Sequence, residues 1–245
     1  MNYLFTLSLA VVTIFCSCTN SSSLSIGKVE NLSLFSAGFQ ILNFTDGSIT
    51  VNGNLYDKDN YPIFNDSIKI KVNNIDISLS KIPGIGLNDY HYSSNDNFPS
   101  SYVYNFEIVL TNGKKYFLGS VESISKINKN DIICNEKGDV NKNCLISWQN
   151  IKEYKELEVY KFYYSLKPDS TNNYISLDIR NKLKIKANGK FIVPIAEFSK
   201  NNIPINFVTF YFRAEKKGQT NPDLLAGSEI VIKDEIEKQI NFKKE

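Results

Sequence analysis

The chain reads as an all-β protein of two tandem antiparallel β-sandwich domains, and three observations predict this. Apolar and polar residues alternate with a period of two from about Lys28 onward. Turn-forming pairs, Asn73-Asn74, Asn112-Gly113 and Asn188-Gly189, sit between alternating runs. Only one segment, Ile151 to Tyr164, carries a stripe that a helix could use, and its Leu157-Glu158-Val159-Tyr160-Lys161-Phe162 core alternates and is β-branched and aromatic, which favours a strand.

The hairpins can be tested by pairing residues across each turn. A two-residue turn at Asn73-Asn74 sets Val72 opposite Ile75, Ile70 opposite Ile77 and Ile68 opposite Leu79, so one face is wholly aliphatic. Lys71 then faces Asp76 on the solvent side, and a slip of one residue would scramble both faces. Asn112-Gly113 suits a type I′ turn and pairs Ile108 with Phe117, Phe106 with Gly119 and Tyr104 with Val121. Asn188-Gly189 pairs Ile185 with Ile192, and Pro194 beyond it marks a strand end or sheet edge. In the last long strand, Val208, Phe210, Phe212 and Ala214 share the face expected to be core.

Composition narrows the function classes. Lys and Arg number 28 against 26 acidic residues, so the chain lacks the basic excess that neutralising a phosphate backbone needs, and nucleic acid is not an expected partner. A 42% hydrophobic and 13% aromatic content suffices for packed cores. The chain opens with an apolar run from Tyr3 to Phe15, as long as the hydrophobic region of a signal peptide and too short to span a bilayer. Export places Cys134 and Cys144 where oxidation is permitted, and a disulfide between them would stabilise by about 2 to 3 kcal/mol.

The run ends in Phe15-Cys16-Ser17-Cys18, and Ser17 before Cys18 resembles the lipobox of bacterial lipoproteins. That resemblance implies a signal peptide over 1–17, a lipidated Cys18 leading a flexible tether over 18–27, and a membrane partner through the lipid. The expected place is the cell envelope, at the outer membrane rather than the inner, facing the periplasm or the surface. Polar residues concentrate between 127 and 143, the expected linker between modules at 28–126 and 144–245. In the first, Ile49 to Ile63 with its Asp57-Lys58-Asp59-Asn60-Tyr61-Pro62 turn, followed by Ile68 to Val72, resembles bacterial immunoglobulin-like and carboxypeptidase-regulatory-like domains. In the second, Trp148, Leu157-Glu158-Val159-Tyr160 and Phe210-Tyr211-Phe212-Arg213-Ala214 before Gly218 look like a fibronectin type III module. Those resemblances imply a spacer or binding role.

Chemistry is sparse. His91 is the single histidine, which leaves little for a triad or a histidine zinc site, and no phosphate loop or nucleophile elbow is present. Asp139-Val140-Asn141-Lys142-Asn143 has the alternating oxygens of a calcium loop, but Cys144 stands at the turn Gly position and Asn150 where the bidentate carboxylate belongs, so neither a metal nor another cofactor is expected. The stretch from Pro83 to Tyr102 is longer than an ordinary β connection and carries Tyr90, His91, Tyr92, Phe98 and Tyr102 beside Asn and Asp residues, a mixture suited to glycan or protein ligands. The expected role is therefore a non-catalytic binding or assembly module. The alternatives are a hydrolase using a pair of carboxylates, or a structural subunit that pairs through a sheet edge, with Glu229-Ile230-Val231-Ile232 or the strand before Pro194 as that edge.

Overall fold

The computed structural model describes residues 22–83, 88–94, 97–135, 137–163, 175–200 and 203–242. In chain order the strands are β1 (Phe35–Asn43), β2 (Ile49–Asp57), β3 (Lys69–Val72), β4 (Ile75–Pro83), β5 (Asn88–Ser93), β6 (Val103–Val109), β7 (Lys115–Glu122), β8 (Ile132–Cys134), β9 (Lys137–Gly138), β10 (Cys144–Trp148), β11 (Tyr154–Tyr163), β12 (Ile175–Lys184), β13 (Gly189–Val193), β14 (Ser199–Lys200), β15 (Ile203–Lys217), β16 (Gln219–Thr220) and β17 (Glu229–Phe242). The all-β expectation holds.

The first hairpin folds as its residues dictate. Asn73 and Asn74 both take positive φ (48° and 66°), Ile70 pairs with Ile77, and Lys71 reaches Asp76 at 3.3 Å. The second departs by one residue and then recovers. Leu110 donates to the Lys114 carbonyl, so the turn holds three residues with Gly113 alone at positive φ (78°), and Ile108 meets Tyr116 rather than Phe117. An irregularity between Phe106 and Glu107 restores the expected Phe106–Gly119 and Tyr104–Val121 pairs, and it turns Phe117 to solvent while burying Leu118. Gly119 is required there: at φ 152° a Cβ would lie 2.2 Å from the Gln219 carbonyl oxygen of the neighbouring strand.

The third hairpin does not form. β12 pairs with β11 while β13 pairs with β10: Ile185 donates to Lys155, and the chain leaves one sheet for another through a bend at Ala187-Asn188, with Gly189 already in β13 and at no positive φ. β13 is an edge strand and stops at Val193, as Pro194 requires.

A mixed sheet runs β12-β11-β15-β17-β1-β2-β5-β4-β3-β6-β7-β16, with β14 on β15 and β9 on β17. The parallel β1–β17 pairing, Gly38 with Glu229 through Asn43 with Asp234, makes this sheet continuous between strands from both expected modules. The segment expected as a linker carries β8 and β9, and β9 pairs with the end of β17. A smaller sheet, β13-β10-β8, lies against β15: Trp148 meets Phe212 edge-on at 5.4 Å and Phe191 meets Phe210 at 6.5 Å. Val208, Phe210, Phe212 and Ala214 are all buried, as their alternation predicts, and Trp148 is core. At the other end of the large sheet Phe39 packs on Phe106 and Tyr92.

The described end of the expected tether is docked. Ser22 is buried and donates its N–H to the Pro62 carbonyl, while the Asn65 amide donates to the carbonyls of Leu24 and Gly27. Backbone groups at 22–27 thus find partners on the loop after β2, which a solvated tether would not.

Candidate functional site

The large sheet changes partners along β17, and a cleft of about 1000 Å³ opens there. Three connections build its rim. After β1 the chain turns at Phe44–Ser48, where Gly47 at φ 88° donates to the Phe44 carbonyl and Asp46 accepts from the Ser48 N–H at 2.8 Å. This turn leaves the Phe44 ring 44% exposed. Before β6, Phe98 donates to the Ile49 carbonyl and Ser101 to the Val103 carbonyl, which presents Tyr102 outward at 76% exposure. After β7, Ser123 donates to the Tyr102 carbonyl, and the following residues pass Lys126 and Ile127 along the cleft. Ile49, Phe98, Tyr104, Ile124 and Ile132 make an apolar floor.

The wall is β17. Residues paired across β15 and β17 share a face, so Asp234, Ile236 and Lys238 lie on the side of Ala214, Phe212 and Phe210. The Tyr154 hydroxyl donates to the Asp234 carboxylate. Burial, above all, pushes the Asp234 carboxyl above its ordinary value, against the opposing effects of the Tyr154 bond and Lys126. Burial likewise raises the Tyr154 phenol. Lys216 is paired with Glu122 at 2.7 Å, and that bond raises its ammonium. The cleft therefore offers two accessible rings, an apolar floor and charges of both signs, which suits a ligand with apolar and hydrogen-bonding faces.

The expected site residues divide. Phe98 and Tyr102 come together here, as floor and rim. Tyr90, His91 and Tyr92 do not, because Asn88 to Ser93 form β5, paired to β4 and β2, rather than a loop. Tyr92 is core, its ring against Phe39 and its phenol pushed up by burial, and Tyr90 meets Phe64 with tilted rings at 5.1 Å. His91 is half-buried on the same strand. Residues 84–87 and 95–96 of that stretch, and Cys18, lie outside the described residues.

Among the described residues no disulfide forms. The register explains it: Cys134 stands opposite Ile146, so Cys144 is offset by two residues, a diagonal spacing too long for a bridge. Burial, helped by nearby Cys134, raises the Cys144 thiol to about 11. Asp139 spends its carboxylate on the Asn141 N–H at 2.8 Å and on Lys142 at 3.2 Å, and no group of metal-ligating side chains exists among the described residues.

Phe44, Tyr154, Lys216 and Asp234 were not singled out by sequence. Asp234 had a signal: it interrupts the inward set Ile230, Ile232 and Ile236 with a carboxylate. No family profile matches the chain, and no curated protein matches it. Among solved structures it is similar to the adhesin InvE of Yersinia pseudotuberculosis, at 10% identity and a TM-score of 0.24, with 87% of this chain and 60% of that chain aligned.

Proposed function

We propose that the chain is a lipid-anchored protein of the bacterial cell envelope, held through Cys18, that binds a glycan or protein ligand without transforming it. The observation that carries this reading is the cleft with Phe44 and Tyr102 exposed above an apolar floor. Large rings left in water beside polar partners are the usual anchors of recognition surfaces. The apolar leader from Tyr3 to Phe15 and the Ser17-Cys18 step support the anchor and an outer-membrane address. In this reading the modules over 28–126 and 144–245 present the cleft between them, and the docked residues 22–27 leave only a short segment between lipid and body.

A carboxylate-dependent hydrolase has one observation in its favour, the raised Asp234 carboxyl in the cleft. Glu153 is near enough to help raise it, but Tyr154 already holds the Asp234 carboxylate. Fatty-acid labelling tests the anchor: label is expected on the parent chain and absent from Cys18→Ser. A screen of glycans and envelope-protein fragments tests the cleft, with binding expected to fall roughly tenfold in Phe44→Ala or Tyr102→Ala. An unlabelled parent, or binding indifferent to both changes, would overturn the reading.

A further inference from the structure

The strand β17 has two edges. One is paired to β15 from Val231 to Asn241. The other is paired to β1 only up to Asp234 and to β9 only from Asn241. Among the described residues no strand fills the interval. The direction of the backbone groups there follows from two hydrogen bonds. The Ile230 carbonyl accepts from Gly218 at 2.7 Å, on the β15 side, whereas the Glu235 carbonyl accepts from the Thr45 hydroxyl at 3.2 Å, on the β1 side. Groups alternate along a strand, so Glu237, like Glu235, points its N–H and carbonyl into the interval.

The interval also opens on a second cleft of about 700 Å³, in which Glu237, Lys238 and Gln239 face Ile132, Ile133 and Cys134. Those last three are β8, the edge strand of the smaller sheet, whose other side is taken by β10. Among the described residues, the open interval of β17 and the edge strand β8 therefore line one cleft, which shares Ile132, Glu237 and Lys238 with the cleft of Phe44 and Tyr102.

We propose that this interval receives an extended segment of a partner polypeptide, which adds to β17 between β1 and β9 as a new strand. The inference rests on the reading of the cleft as a binding site and names its ligand class. A row of alternating donors and acceptors is matched by the backbone of another extended chain, and glycans present no such row. Both flanking strands run parallel to β17, so the added segment continues their direction. Its side chains alternate between the apolar side of Ile236 and Ile132 and the solvent side of Glu235 and Glu237, which selects a peptide of alternating apolar and polar residues.

The probe is a displayed library of random octapeptides, selected against the full chain in detergent, followed by amide hydrogen exchange with and without the enriched peptide. The Glu237 amide is expected to exchange quickly in the chain alone and roughly tenfold or more slowly with peptide bound, and N-methylation of the peptide's central amides is expected to weaken binding roughly tenfold, the effect of a lost backbone bond. Glu237→Pro, which removes the donor, should lower affinity similarly, and the N-methylated peptides keep the test valid if that variant fails to fold. No enriched peptide, a Glu237 amide already protected in the chain alone, or binding indifferent to N-methylation would each overturn the proposal. Glycans that bind in a Tyr102-dependent way while peptides do not would overturn it and leave the proposed function standing; a cleft that takes neither would sink both.

Discussion

The two halves of β17 share one strand and one neighbour and differ only in what lies on the other side. From Val231 to Asp234 the strand is sandwiched between β1 and β15, and Val231 and Ile232 are buried. From Glu235 to Gln239 the alternation of residue types continues, yet none of these residues is fully buried. An edge is thus made by where the partner stops, and β1 stops because Phe44 to Ser48 turn away into β2. The strand's own sequence carries little of that information.

Proline separates the two halves of β17 most sharply. Val231→Pro removes a donor directed at β1 and should cost about 3 kcal/mol or more, whereas Glu237→Pro removes one directed into the interval and should cost about 1 kcal/mol or less. Denaturant unfolding of both variants measures the gap, and equal losses would mean that the second half is paired after all. Truncation gives the next largest contrast. Ile232→Ala, at a fully buried position, should cost about 3 kcal/mol, and Ile236→Ala, half-buried on the same face, about 1 kcal/mol.

Asp234 stands at the junction of the two halves and makes stability there depend on pH. Its carboxyl is raised in the fold, so the stability it contributes is fully present below the unfolded value of 3.8 and is lost as pH rises through the folded value. Asp234→Asn should therefore be more stable than the parent at neutral pH, with the advantage narrowing as the pH falls through the raised folded value and closed below about 3.8, as thermal melts across that range would record. The smallest effect belongs to Thr45→Ala, which frees one carbonyl of Glu235 at an exposed position and should cost about 0.5 kcal/mol.

Short-range chemistry was legible in the chain and long-range partnership was not. The positive φ of Asn73 and Asn74, the Lys71–Asp76 pair and the inward Val208, Phe210 and Phe212 all follow from neighbours a few residues apart. The irregularity opposite Phe106 does not, because the shift introduced by a three-residue turn is corrected only where Gly119 lets β16 approach. Similarly, Asn188-Gly189 reads as a hairpin turn in the sequence, yet Gly189 already opens β13 and the segment joins strands of different sheets, because alternation cannot say which sheet a strand enters. Of the stretch that loop length and aromatic content mark for binding, Phe98 and Tyr102 line the cleft, whereas Tyr90 and Tyr92 share those features and became strand. Lys161 makes the same point: it faces inward between Val159 and Tyr163, its side chain almost fully covered, and Glu197 from a distant turn supplies its counter-charge.

The parallel course of β1 and β17 also sets how the molecule would carry tension. A pull that enters ahead of Phe35 and leaves beyond Phe242 acts along the two strands in opposite senses, so every rung from Gly38–Glu229 to Asn43–Asp234 is sheared together instead of being unzipped in turn. A load applied between the two ends of the chain therefore meets its stiffest resistance along this pairing, a built-in mechanical clamp.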